Sequence, residues 1–219
     1  ITPNDKTLRQ NRAAIDLMKT GRYYVVLNEL ANGDTHDFFK FAYTDRDYES
    51  AITQMLFSLQ AFHNLGYVHN DAHLGNFLWH KITPGGFWQY QYGNTTIYVP
   101  NTGYLMVLWD PGLAKKIYLP DYYPNKDIHR VIALLKAIPT SRYYQEKKMI
   151  GIQPKALAPF DKILSMMMTD GIVYASFMDT FIEVLIDIKQ RFHHIYFKTP
   201  KGSTLPPNSV ILNKTPYKL

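Results

Sequence analysis

Two apolar strings in this sequence each stop on an aspartate where a polar loop begins: "GYVHN" runs into Asp71 and "LMVLW" into Asp110. Apolar residues hold such a string in a core, while the carboxylate at its end is left at the mouth of a cleft or in solvent. In front of the first string lies a long amphipathic pattern. Tyr48, Ile52, Met55, Leu56, Leu59 and Phe62 recur at helical spacing, and the pattern ends at Asn64–Gly66. The chain must therefore deliver a buried helix into the loop "HNDAHLGN" and later return an apolar strand to Asp110.

Between the two aspartates the sequence is rich in strand signals. "NFLWHKI" is followed by the turn "TPGG", the strand-like "FWQYQY", the hairpin signal Gly93–Asn94, then "TTIYVP" and "GYLMVLWD". Upstream, Leu8 to Lys19 predicts a short helix closed by Gly21, "YYVVLNEL" a strand, and "ANGD" a turn. Downstream, Asp127 to Ile138, Pro159 to Thr169 and Ile172 to Phe192 read as helices, the last with Val173, Phe177, Phe181, Leu185 and Ile188 on one side. The tail from Thr199, with its prolines and lysines, reads as irregular, and no internal repeat is visible.

Composition excludes several classes. There is no cysteine, so disulfides, thiolate catalysis and Cys-ligated zinc are ruled out, which fits a reducing, intracellular location. No apolar run approaches the roughly 20 residues of a membrane helix. The formal charge of +6 suits an anionic ligand such as nucleotide phosphate, but the basic residues are dispersed, without an arm or a stripe, which disfavours nucleic acid.

Asp71, Asn76 and Asp110 together form a set suited to phosphoryl transfer. One Asp orients the attacking hydroxyl, and an Asp plus an Asn hold Mg²⁺ against the phosphates. The words themselves resemble a family. "HNDAHLGN" matches the His-x-Asp-x-x-x-x-Asn catalytic loop of protein-kinase-like enzymes, and "LWDPGLAKK" is similar to their Asp-Phe-Gly segment, with Pro111 in the middle position. "VVLNELANGD" resembles the strand and hinge that receive adenine. A closer resemblance is to the serine/threonine kinases of large DNA viruses, in which a "PGG-aromatic-Trp" hairpin follows "GNFL". Here Asp110 comes 34 positions after Asn76, leaving room for that hairpin.

The resemblance implies an α+β, protein-kinase-like fold: a mainly helical catalytic lobe with a hinge strand and an inserted β-hairpin between the catalytic loop and the Mg-binding segment. It implies ATP and Mg²⁺ as cofactors and a protein substrate, probed through the following residues. Asp71 would be the catalytic base, with His73 beside it where protein kinases usually carry Lys. Asn76 and Asp110 would be the metal ligands. Asn28, Glu29 and Ala31 would meet the adenine and Asp34 the ribose. His69 would brace the Asp110 segment, and Asp127 would bond the catalytic-loop backbone. The implied boundaries are 1–22 for an N-terminal helix belonging to the N-lobe, 23–197 for the hinge and lobe, and 198–219 for the tail.

The pattern also departs from the family. Neither a Gly-rich loop nor a "VAIK"-type Lys precedes the hinge, so the isolated chain is expected to be inactive, with its N-lobe face covered by its own termini or a partner chain. Asn70 replaces the Arg that pairs with an activation-loop phosphate, and the segment from Asp110 to Asp127 is short. Two alternatives stay open: a small-molecule kinase of the aminoglycoside or choline type, and a catalytically inactive pseudokinase or virion component.

Overall fold

Local capping sets the first described elements. β1 (Gly33–Asp34) leads into α1 (Thr35–Phe38), whose N-cap Asp34 accepts a hydrogen bond from the Asp37 N–H at 3.1 Å. The longest helix, α2 (Asp45–Asn64), opens on a capping box in which Thr44 and Asp47 satisfy one another's backbone N–H groups. The structure is a computed structural model that describes residues 30–41, 43–117, 125–149, 151–152, 154–169, 172–173, 176–187 and 192–219. Ala31–Leu219 forms one compact unit. The helix expected over Leu8–Lys19, the strand "YYVVLNEL" and the hinge positions Asn28 and Glu29 lie outside the described residues.

After α2 the chain forms β2 (Tyr67–Val68), a 3-10 turn (Leu74–Asn76), β3 (Phe77–Lys81), the hairpin of β4 (Phe87–Tyr92) and β5 (Thr95–Pro100), and β6 (Tyr104–Leu108). A second 3-10 turn (Pro111–Leu113) precedes β7 (Lys115–Lys116). The helices α3 (Lys126–Ala137), α4 (Arg142–Glu146) and α5 (Pro154–Met167) follow, then the paired strands β8 (Met168–Thr169) and β9 (Ile172–Val173), and α6 (Phe177–Ile186). The chain closes with β10 (Tyr196–Thr199), β11 (Gly202–Ser203) and β12 (Tyr217–Lys218). The architecture is mixed α/β, and the hairpin expected between Asn76 and Asp110 is present.

Two sheets position everything else. One has the order β1-β3-β6 and the other β11-β10-β5-β4-β12. α2 lies beneath both, and every residue from Tyr48 to Phe57 is buried, so it is a central helix with no solvated face over those turns. Its buried polar side chains are used against the sheet strands. Ser50 Oγ donates to Pro100 O at 2.7 Å, Gln54 Nε2 donates to Tyr104 O at 3.1 Å, and Gln54 Oε1 accepts from Met106 N–H at 3.1 Å. Gln54 thus satisfies a donor and an acceptor of β6 that would otherwise be orphaned. The apolar residues of α2 join α3, α5 and α6 in one core, where Phe57 meets Phe181 and Tyr90 at ring distances of 5.0 and 4.9 Å.

The structure differs from the sequence expectation in three places. The helix expected over Ile172–Phe192 is only Phe177–Ile186. Ser176 caps it by accepting from Asp179 N–H, and the chain before it is in the β8–β9 pair. The helix expected from Pro159 starts at Pro154, and Pro159 sits inside it, buried in the core at the cost of one backbone hydrogen bond. The tail expected to be irregular from Thr199 supplies β11, which pairs with β10, and β12, which runs parallel to β4, while β10, ending at Thr199, pairs with β5. Gln89 and Asn213 lock this arrangement through reciprocal bonds of 2.8 and 2.9 Å between side chain and backbone.

Candidate active site

The loop after β2 is held from below by one buried carboxylate. Asp127, in the first turn of α3, is 3% exposed and accepts from His69 N–H at 2.8 Å, Asn70 N–H at 3.2 Å and His63 Nε2 at 3.3 Å. Burial by itself pushes its pKa up, but the bonds from His63 and the two backbone N–H groups outweigh that, and the carboxyl ends below its ordinary range. An ionised Asp127 therefore fixes the backbone two residues before Asp71.

The segment carrying Asp110 is stitched to the same loop. β3 and β6 pair with Phe77 opposite Leu108, so Asn76 and Trp109 continue the register, and Trp109 N–H donates to Asn76 O at 2.9 Å. His69, fully buried, donates from Nε2 to Trp109 O at 2.8 Å. Further along, Asn70 Nδ2 donates to Leu113 O at 3.3 Å, Val68 pairs with Lys115, and Ile117 N–H donates to Gly66 O at 2.8 Å. Asp71, Asn76 and Asp110 thus lie on two strands of backbone that are bonded to each other on both sides of the aspartates.

Asn70 and Asp110 both hold left-handed backbone conformations, with φ of 63° and 54°. Asn and Asp tolerate this region best among residues with side chains, and Asp110 offsets part of the cost with a bond from Gly112 N–H to its own Oδ1 at 3.2 Å. The effect is to turn the chain sharply at Asp110 and leave that residue exposed.

Within the loop, Asn76 is buried, and its Nδ2 donates to Asp71 O at 3.0 Å, with Asp71 Oδ2 at 3.4 Å. That orientation presents the amide oxygen, the only atom of the group that can ligate a cation. His73 Nδ1 accepts from Gly75 N–H at 3.0 Å, so a neutral ring carries its proton on Nε2, which lies 3.5 Å from Asp71 Oδ2. Gly75 is flanked by two imidazoles, since a Cβ there would meet His73 Cε1 at 3.0 Å and His36 Cε1 at 3.2 Å. Two groups that the sequence reading passed over touch these residues: His63 beneath Asp127, and Arg130, whose Nη1 donates to Asp71 Oδ1 at 3.3 Å. Arg130 was accessible in principle, because a residue three places after a helical Asp that faces the loop lies on the same face.

Of the hinge positions, Ala31 and Asp34 are described. β1 pairs with β3 with Asp34 opposite Leu78, two residues beyond Asn76, and Thr35 Oγ1 donates to Leu74 O. Asp34 is brought to the edge of the loop, where its Oδ2 meets His36 Nδ1 at 3.2 Å. Among the described residues no group of three or more His, Cys, Asp and Glu is placed to hold a metal. The loop ends carry carboxylates on Asp71 and Asp110 and an amide oxygen on Asn76. These hard oxygen ligands suit Mg²⁺, which takes its remaining ligands from phosphate and water.

No protein-family model matches the chain. Over 71 residues it is 37% identical to a Frog virus 3 (isolate Goorha) protein named "Putative serine/threonine-protein kinase 019R". The match covers 31% of this chain and 8% of that protein, so it links a segment and not two whole proteins. Part of the chain is thus similar to a protein named as a kinase. Among the described residues no helix is long and apolar enough to cross a membrane.

Proposed function

We propose that this chain contributes the catalytic half of a protein-kinase-like phosphotransferase that moves the γ-phosphoryl of ATP to a Ser or Thr hydroxyl of a protein. The observation that carries this reading is the double attachment of the Asp71 loop. Asp127 fixes it from below, and Trp109 joins it to the Asp110 segment through both His69 and Asn76. Preorganisation of that kind is what the chemistry demands, since positioning and electrostatics supply most of the rate.

Asp71 would accept the hydroxyl proton as the oxygen attacks the γ-phosphorus, and the bond from that phosphorus to the bridging oxygen of the diphosphate would break. Asn76 and Asp110 would hold Mg²⁺, which when bound neutralises charge on the phosphate oxygens. Asn76 also restrains Asp71 through its Nδ2, so the metal ligand and the base share one scaffold. Asp34 lies on β1 beside this loop and Ala31 two residues before that strand, where ribose and adenine would be met; Asn28 and Glu29 complete that proposal from outside the described residues.

The test uses the full-length protein with γ-labelled ATP and a panel of protein acceptors. Asp71→Asn is expected to lower kcat by about 10²-fold or more with little change in nucleotide affinity. Asp110→Asn is expected to weaken Mg·ATP binding as well as turnover. Transfer by both variants at the wild-type rate would overturn the reading.

A further inference from the structure

Beside Asp71 the structure places a cation that the phosphoryl-transfer scheme does not use. Arg130, on α3, reaches Asp71 Oδ1 through one nitrogen at 3.3 Å, and its side chain is 45% exposed. The other oxygen of Asp71 faces His73 Nε2 at 3.5 Å. A guanidinium has five N–H donors in a planar fork, so a single long contact leaves an edge of the fork open to a bidentate anion. The other acidic side chains of these loops have partners: Asp34 pairs with His36 at 3.2 Å, Asp37 with Lys40 at 2.7 Å, and Asp110 accepts from Gly112 N–H at 3.2 Å. Arg130 instead leans on the one carboxylate that an acceptor hydroxyl must approach.

The strand paired with the segment before the loop also carries two basic residues. Lys115 and Lys116 of β7 are both exposed, on the strand zipped to the segment just before the loop. His36 and His73 flank Gly75, where any larger side chain would be crowded, so no carboxylate is carried at that position. An acceptor presenting a basic group beside Asp71 would meet Arg130. One presenting an anion would find an unspent fork beside the reactive carboxylate.

We infer that Arg130 is a specificity-determining residue that selects acceptors with an anionic group next to the reactive hydroxyl. This rests on the phosphotransferase reading of the same site. When such an acceptor binds, its carboxylate or phosphate pairs with the open edge of Arg130 while its hydroxyl takes a hydrogen bond to Asp71. The shared chemistry is an anion held close in space to the hydroxyl, whether on an acidic residue flanking Ser in a peptide or on the phosphate of a small phosphorylated alcohol.

The experiment measures both binding and transfer with the full-length protein. Matched fluorescent Ser peptides flanked by Glu, Gln or Lys, together with glycerol phosphate, are titrated without nucleotide and then assayed with Mg·ATP, for wild type, Arg130→Gln and Arg130→Lys. The acidic peptide or the phosphorylated alcohol should bind wild type about five- to tenfold more tightly than its neutral counterpart, and Arg130→Gln should remove that preference through KM. Arg130→Lys should restore part of it, since charge returns without the fork. Preference for the Glu peptide assigns a protein acceptor, and preference for glycerol phosphate a small-molecule one. Equal binding of Glu and Gln peptides and of glycerol phosphate and glycerol, or a preference that survives Arg130→Gln, would overturn the inference. Arg130-dependent binding without any transfer would instead leave the anion site standing and count against the kinase reading.

Discussion

Replacing Asp127 tests how firmly the Asp71 loop is held. In Asp127→Ala, three donors lose their acceptor: His69 N–H, Asn70 N–H and His63 Nε2. Asn70 is exposed, so water can take its N–H, whereas His69 and His63 are buried. Two orphaned buried donors at about 1–3 kcal/mol each put the expected cost near 4 kcal/mol. For a chain of this size that corresponds to a fall in Tm of roughly 8–16 °C. Asp127→Asn can keep its oxygen at the Oδ2 position for both His69 N–H and His63 Nε2 and then opposes its amide nitrogen to the exposed Asn70 N–H, so no more than about half of that loss is expected. Calorimetric melts of the two variants give the totals, and amide hydrogen exchange at His69 and Asn70 shows whether the loss is local. A fall of less than about 3 °C for Asp127→Ala, with unchanged exchange at these amides, would refute the claim that this carboxylate anchors the loop.

Asp127 also predicts a pH dependence. Its pKa in the folded chain lies below the ordinary value of 3.8, so its contribution is fully present above that value and is lost as pH falls through the folded pKa. Urea midpoints should therefore drop below about pH 4, with a shallower drop in Asp127→Asn, and equal slopes in the two proteins would exclude Asp127 as the source. Gly86 has φ of +72°, and an added Cβ would lie 2.9 Å from Leu212 Cδ2 and 3.0 Å from Val210 O. Gly86→Ala should cost about 1–3 kcal/mol and speed hydrogen exchange of Leu212 N–H, which donates to Phe87 O at 2.9 Å. Gln54→Leu should cost about 2–3 kcal/mol by stripping Met106 N–H and Tyr104 O of their partner, measured as a shift in urea midpoint.

The parts of the fold that were legible are those whose signal is local. The period of Tyr48–Phe62, the Gly93–Asn94 turn between alternating runs and the pattern after Asp127 each report a single element, and each is present. The failures come from longer range. The apolar period from Val173 to Ile188 runs through Ser176, and only the N-cap bond from Asp179 N–H shows that the helix starts after it. The tail has weak strand propensity of its own and becomes regular because β4 and β5, about a hundred residues earlier, offer it edges. At the candidate site, spacing pointed to Asp71, Asn76 and Asp110, but not to the Trp109 backbone that joins the segments or to Arg130, because those depend on sheet register and on which way α3 is turned.

The placement of β10 and β12 on either side of the β4–β5 hairpin has a consequence for how the chain acquires its structure. The hairpin and α2 can form as soon as residues 45–100 are available, yet both edges of that hairpin wait for strands that begin at Tyr196 and Tyr217. Contacts so far apart in sequence close slowly, because the loop entropy is lost before the pairing compensates for it. A nascent chain would thus carry a hairpin with both edges unpaired, its β4 strand bearing Phe87, Trp88, Tyr90 and Tyr92, until Tyr217 had emerged. Completion of this sheet comes late relative to its central hairpin, and during that interval the aromatic hairpin is exposed to pairing with the wrong strand.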